Sequence, residues 1–323
     1  MSERFTDSHI RTAARSQHPG YAPAHYALFY RNDSEYADGV YRFLAAGLRG
    51  GEPVSIAVPG SRTRLLRERL DDFHAEIEFF DMVEVGRNPA RVIPLVSTML
   101  AKHGGRKLHW VGEPIWPGRS PDEVREATRH EALINLAWPG ASIRMLCPYD
   151  ASALDSEILA DAQSTHPWII DDGDPRHSPS YTGPAVPSVC EQILSEPPPG
   201  AEAVEFDLGA LGEMRAMIAH QAAIAGLSEE RTGDLVLAVN EVATNTIRHA
   251  GTAARLRLWS ENDDLICQLE DTGYIADPLA GRRVPTPDSV GGIGLWMVNQ
   301  LCDLVEVRTG PGGTTIRLHA SLN

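Results

Sequence analysis

The chain has 323 residues, 42% hydrophobic and 23% charged, with a formal net charge of −15. That length accommodates two buried cores, and the composition is that of an ordinary globular protein. The acidic balance argues against a general nucleic-acid binder, whose surface needs lysine and arginine to displace counterions, and fits a partner with basic surfaces.

Residues 1–21 are polar and aperiodic and read as a flexible leader without the apolar core of a signal peptide. No apolar run approaches the roughly 18 residues of a membrane span, so the expected location is the cytoplasm, with no membrane contact. From residue 22 to 170 strands and helices alternate. Strands are expected at 25–30, 53–58, 77–80, 107–111 and 143–147, and helices at 34–48 (capped by Ser34, ended by Gly50-Gly51), 61–73, 89–103 and 121–137. Alternation of this kind implies a mostly parallel sheet covered on both faces. The loop Pro59-Gly-Ser-Arg-Thr63 lacks the Gly-Lys-Ser/Thr that wraps a triphosphate, so this half should not hydrolyse nucleotide. Glu113, Trp116, Arg119, His130 and Glu131 are candidates to line a pocket at the strand ends, and His166-Pro-Trp168 reads as a packing corner or a pocket wall.

Between residues 171 and 200 lies a linker with seven prolines after Gly173, semi-rigid and unable to carry a core. Residues 187–194 are its one helical stretch. From 201 to 323 the pattern changes: a strand at 203–208, a helix at 211–225 ended by Gly226, then a long helix capped by Ser228 with Arg231 where a capping-box acid would sit. Strands at 255–260 and 265–270 flank an Asn262-Asp-Asp turn, and strands at 304–307 and 315–319 flank Gly310-Pro-Gly-Gly313. A mixed, antiparallel-rich sheet with helices on one face follows. The four cysteines are scattered without metal-ligand spacing, and Cys267 and Cys302 read as buried thiols.

The chemistry concentrates on the long helix. Glu241, Asn245 and His249 are spaced four apart and share a face, while Leu235, Val236, Val239, Val242, Ala243 and Ile247 form an apolar arc. A carboxylate and a carboxamide one turn apart suit an acid–base step and a metal. Downstream come Asp271-Thr-Gly273, Gly291-Gly-Ile-Gly-Leu295 and Gly312-Gly-Thr-Thr315.

In this order these four segments resemble the N, G1, G2 and GTT boxes of the GHKL (Bergerat-fold, HATPase_c) ATPases, and most closely the RsbW-like anti-sigma serine kinases. The resemblance implies a two-layer α/β sandwich over 201–323 that binds ATP and Mg²⁺. Carried over residue by residue, it makes Asn245 the Mg²⁺ ligand, Glu241 the catalytic base and Asp271 the acceptor for the adenine amino group. Gly273 turns beneath the base, and Gly291, Gly292 and Gly294 approach the phosphates. The helix from Leu295 points its N–H groups at the anion, and Thr314 sits beside Asp271. Residues 276–289 would be a short ATP lid, in which Arg282 and Arg283 either reach a phosphate or partner or are simply solvated. Arg215 is a candidate partner contact.

Phe43–Val54, Gly86–Arg91, Val111–Trp116, His130–Asn135 and Cys147–Asp150 resemble a MEDS (methanogen/methylotroph sensory) domain over 22–170, implying a RecA-like sandwich without a P-loop, used for input. Together these resemblances imply a regulator that binds a sigma factor and is released by a STAS anti-anti-sigma protein, whose serine it phosphorylates if kinase activity is retained. Such proteins often form homodimers and contact no nucleic acid directly. Two other readings stay open: an ATP-binding partner switch without catalysis, and an atypical sensor histidine kinase whose acceptor histidine is His130 or lies on another chain.

Overall fold

The computed structural model describes residues 24–322 except 172, 187, 251–253 and 287–291; the side chains of 74–76, 188–189 and 249–250 are also left undescribed. The expected leader, Gly291, the His249 side chain and the end of the lid therefore lie outside the described residues. The chain divides into two compact units, one comprising residues up to Gly86 together with Leu95–Cys190, the other Arg87–Pro94 with Glu191–Asn323.

The first unit is built on a seven-stranded sheet of order β3-β2-β4-β5-β1-β6-β7. Its strands are β1 (Ala24–Tyr30), β2 (Val54–Val58), β3 (Ile77–Asp81), β4 (Leu108–Gly112), β5 (Ile143–Asp150), β6 (Trp168–Asp171) and β7 (Arg176–His177). The first six run parallel, and β7 pairs antiparallel with β6. The longer helices are α1 (Asp33–Arg49), α2 (Gly60–Arg69), α3 (Val92–Lys102), α4 (Pro121–Ala137) and α5 (Ser156–Thr165). Successive strand residues point to opposite faces. Tyr26, Leu28 and Tyr30 of β1 pack with Tyr36, Val40 and Leu44 of α1. Ala27 and Phe29 join Cys147 and Tyr149 of β5 against Ala127 of α4 and Ala162 of α5. Both faces are therefore covered, as the alternation predicted.

Local chemistry fixes the helix starts. Asn32, not Ser34, caps α1, its side chain accepting from the Glu35 amide. Ser120 and Glu123 form a complete capping box at α4, with Pro121 in the first turn. The expected helix over 61–73 ends at Arg69 and continues as a 3₁₀ turn, Asp71–Glu76, and the start of the one over 89–103 is likewise a 3₁₀ turn, Pro89–Arg91.

The second unit carries a five-stranded sheet of order β11-β12-β10-β9-β8. Its strands are β8 (Glu202–Phe206), β9 (Ala254–Glu261), β10 (Asp264–Asp271), β11 (Leu304–Gly310) and β12 (Gly313–Ser321). Every pairing is antiparallel, so the sheet is uniform rather than mixed. Between β9 and β10, Asn262 and Asp263 both take positive φ (48° and 65°), the geometry of the two-residue hairpin turn whose twist matches the strands. Helices α6 (Leu211–Ala225), α7 (Glu229–Ala250) and α8 (Ile293–Leu301) supply Ile218, Leu235, Val239, Val242 and Val298 to a core shared with Leu256, Cys267, Leu269 and Leu318. The amide of Arg231 is capped by Ser228 Oγ (3.2 Å). The Arg231 side chain donates to the Leu301 carbonyl (3.0 Å) and pairs with Asp303, so the residue that breaks the capping box instead closes the C-terminal end of α8. Cys267 and Cys302 are buried free thiols, as expected. Part of the expected linker is held down: Arg308 donates to the Gln192 carbonyl and Arg317 to that of Ser195. Among the described residues no helix is long and apolar enough to cross a membrane.

Candidate functional site

In the second unit the motif residues converge on one end of the sheet, beside α7 and α8. Asp271 ends β10, and its carboxylate is held at both oxygens. Oδ1 accepts from the Gly273 amide (2.6 Å) and Oδ2 from the Thr246 hydroxyl (2.7 Å). Each carboxylate oxygen keeps a second lone pair, so the fixed acceptor can still take a hydrogen bond from a ligand amino group. Asp271 pairs in register with Thr314 of β12. Thr314 donates to the Gly273 carbonyl (2.9 Å) and lies 2.9 Å from Thr309 Oγ1. Gly313 lies so close that a β-carbon there would sit 2.1 Å from the Asp271 carbonyl oxygen, and its φ of 122° belongs to glycine. The two glycine-bearing segments and the aspartate thus form one cradle.

The second half of the site is formed between α7 and α8. A β-carbon on Gly294 would lie 2.8 Å from the Asn245 amide nitrogen and 3.1 Å from Glu241 Oε2. Glu241 and Asn245 therefore turn toward the glycine-bearing start of α8. Gly292 sits at the N-cap of α8 with φ 83°, a left-handed conformation that opens the helix toward its free amide groups. Leu295 packs against the unit's core. Glu241, Asn245, Asp271 and Gly273 are half-buried, neither lost in the core nor fully solvated.

The start of the expected lid is docked. Leu279 is buried, Gly281 would meet Leu295 if it carried a β-carbon, and Asn299 donates to the Gly281 carbonyl (3.1 Å). Arg282 is buried at 6% exposure, which overturns its reading as a solvated side chain. Arg283 is exposed and pairs with Asp277 (2.5 Å). Arg215 donates to Asn240 on the surface (2.9 Å). Thr246 and Thr309 are the site residues that motif reasoning missed; Thr246 directly follows Asn245, and a hydroxyl on that helix turn was the available signal.

In the first unit the five residues assigned to one pocket make separate sets of contacts, save that Arg119 and Trp116 touch. Glu113 is buried and accepts from the hydroxyls of Tyr30 (2.9 Å) and Tyr36 (3.1 Å), with the Arg62 guanidinium bonded to Tyr30. Burial pushes its carboxyl up to about 7 against those hydrogen bonds. Arg119 stacks on Trp116 and donates to the carbonyls of Pro114 and Gly86. His130 is buried at 1% exposure within α4. An acceptor histidine must be reached by a phosphoryl donor, and this one is not exposed. Glu131 points elsewhere, toward His25, Cys147 and His166.

With this geometry in place, residues 204–320 match the histidine kinase-like ATPase domain family, and residues 24–167 match MEDS, the methanogen/methylotroph, DcmR sensory domain. The chain therefore joins an N-terminal MEDS domain to a C-terminal histidine kinase-like ATPase domain. Among solved structures it is similar to the RsbU and RsbW domains of Rv1364c from Mycobacterium tuberculosis, with 20% identity, coverage of 38% of this chain and 33% of that one, and a TM-score of 0.30. It is also similar to the Acinetobacter baumannii histidine kinase AdeS, with 14% identity, coverage of 38% and 68%, and a TM-score of 0.24. The chain thus spans a third of the Rv1364c structure, and at these values neither likeness bears on function. No curated protein matches the chain.

Proposed function

We propose that the C-terminal domain binds ATP with Mg²⁺ and acts as a partner-switching regulator. In this reading it holds a sigma factor, releases it to a STAS-type anti-anti-sigma protein, and phosphorylates a serine of that protein under control of the MEDS domain. The observation that carries the reading is the convergence of Glu241 and Asn245 on Gly294. The Asp271–Gly273–Thr314 cradle lies in the same unit, and the ATPase-domain match covers all of these residues. The residues fit nucleotide and metal: close backbone approaches at Gly294 and Gly313, a fixed carboxylate for an adenine amino group, and a neutral amide oxygen for a hard cation.

Bound Mg²⁺–ATP would supply the phosphoryl group and the charge that neutralises its oxygens. The chain's own residues do the rest. Asp271 fixes the base, Asn245 seats the metal, and the amide groups opening α8 face the phosphates. Glu241, one turn from Asn245, accepts the proton of the attacking hydroxyl. The buried position of His130 favours a partner serine over an acceptor histidine on this chain.

The test has two arms. Asp271→Asn should weaken ATP binding on the order of 10- to 100-fold, the worth of one charge-assisted hydrogen bond. Glu241→Gln should bind ATP normally but transfer phosphate to a cognate STAS protein roughly 10²- to 10⁴-fold more slowly. Normal binding by the first variant removes the nucleotide site; undiminished transfer by the second removes Glu241 as base. Sigma-factor binding without transfer by the unmutated protein would leave a switch without catalysis.

A further inference from the structure

The N-terminal domain contains a constellation that the nucleotide chemistry does not use. His25 on β1, Glu131 on α4, Cys147 on β5 and His166 at the end of α5 converge, each fully buried, with one potential ligand atom from each within 4.8 Å of the others. Glu131 Oε2 lies 3.0 Å from His25 Nε2, 3.2 Å from His166 Nε2 and 3.3 Å from Cys147 Sγ, and the last two residues' neighbour His25 Nε2 is also 3.3 Å from that sulfur.

The surroundings fix which atoms face inward. Asn135 donates its amide N–H groups to the carbonyls of Thr165, Glu131 and Ala132, which leaves its Oδ1 as the acceptor 3.2 Å from His25 Nδ1. His25 Nδ1 therefore carries the proton, and Nε2 presents a lone pair to the cluster. His166 donates from Nδ1 to the Ala162 carbonyl (2.8 Å), and its Nε2 comes to 3.2 Å from Glu131 without hydrogen-bond geometry. Among the described residues, Glu131 Oε1 likewise finds no hydrogen-bond partner. Two imidazole lone pairs, a carboxylate and a sulfur thus face one another, and a single thiol proton satisfies only one of these contacts. Buried acceptors in such an arrangement call for a cation between them.

We propose that these four side chains form a zinc-type divalent metal site, His₂GluCys, inside the MEDS domain. The donor types are those of tetrahedral zinc, and bonds of about 2.0–2.3 Å need ligand separations of roughly 3.3–3.8 Å, within the spread seen here. The hydrogen bonds from His25 to Asn135 and from His166 to Ala162 are the outer contacts that orient metal-bound imidazoles. Metal entry expels the Cys147 thiol proton to solvent and leaves a thiolate ligand. All four positions are filled by protein, so the ion ties β1, β5, α4 and the end of α5 together rather than opening a catalytic position.

The experiment uses untagged full-length protein, stripped with a chelator and reloaded with Zn²⁺ or Co²⁺. About one equivalent of metal should bind per chain, and Co²⁺ should show tetrahedral visible bands with a thiolate-to-cobalt charge-transfer band. Cys147→Ser should abolish that charge-transfer band. Asn135→Ala should lower metal affinity about 10- to 100-fold, as loss of an outer-shell partner does. Folding of each variant is checked by circular dichroism and by ATP binding at the other domain. A folded wild-type chain that takes up no stoichiometric metal overturns the proposal, as does a charge-transfer band that survives in Cys147→Ser. Neither result touches the nucleotide reading.

Discussion

Asp271 and Glu113 show opposite uses of a carboxylate. Asp271 is half-buried, and both oxygens are engaged by a backbone amide and a hydroxyl, so it is positioned to remain an acceptor. Glu113 is 1% exposed, and burial raises its carboxyl from 4.5 to about 7. The groups facing it are Tyr30, Tyr36, Arg62 and Asp150. Burial pushes both phenols well above their usual range, so they stay neutral in this window. Because the folded value lies above the unfolded one, the unfolded chain releases its proton first as pH rises. Stability is therefore lost between about pH 4.5 and 7, by on the order of 3 kcal/mol for a shift of this size. Glu113→Gln should remove that slope. Urea unfolding of both proteins at pH 5 and pH 8 reads it: the variant gains on the wild type at the higher pH, and a constant difference would refute the assignment.

At the scale of elements, what was legible had a local cause. Helix α4 formed over the expected 121–137, where Ser120 and Glu123 close a capping box, and the β9–β10 hairpin formed at its expected Asn-Asp turn. Helix α7 followed from its apolar arc, and with it the shared face of Glu241 and Asn245. Helix α5 and strands β6 and β7 went unread, because Ser156–Thr165 carries few apolar residues and β6 joins the sheet by pairing with β1, far away in sequence. The same distance hid the His25–Glu131–Cys147–His166 cluster. Its members are 106 and 122 residues apart along the chain in two of the contacts, so no motif spacing could display it. The β10–β12 pairing supplies a test of element geometry. Gly313→Ala places a β-carbon on the Asp271 carbonyl at a backbone angle that alanine resists. The variant should lose about 3 kcal/mol or more of stability in the C-terminal domain and lose ATP binding with it. Calorimetry with a nucleotide titration checks both, and intact binding would show that the cradle is not part of the site.

At the scale of the molecule, each unit closes its own core and carries its own candidate ligand chemistry. Four of the six tryptophans (Trp110, Trp116, Trp138 and Trp168) lie in the first unit, and Trp259 and Trp296 lie in the second. A ligand that binds only the folded form stabilises it by RT ln(1 + [L]/Kd), about 2.7 kcal/mol at a hundredfold excess over Kd. Hydrogen exchange resolves where that stabilisation appears. Mg²⁺–ATP should slow exchange most in peptides from Glu229–Ala250, Asp264–Asp271 and Ile293–Leu301, the elements that carry the candidate site. Zinc should slow it in Ala24–Tyr30, Pro121–Ala137 and Ile143–Asp150, which hold three of the four proposed ligands. Protection by ATP centred on the zinc-site strands, or by zinc centred on α7 and α8, would exchange the two assignments and refute both. Each ligand felt first in its own unit and more weakly in the other would instead be the signature of an input domain speaking to an output domain.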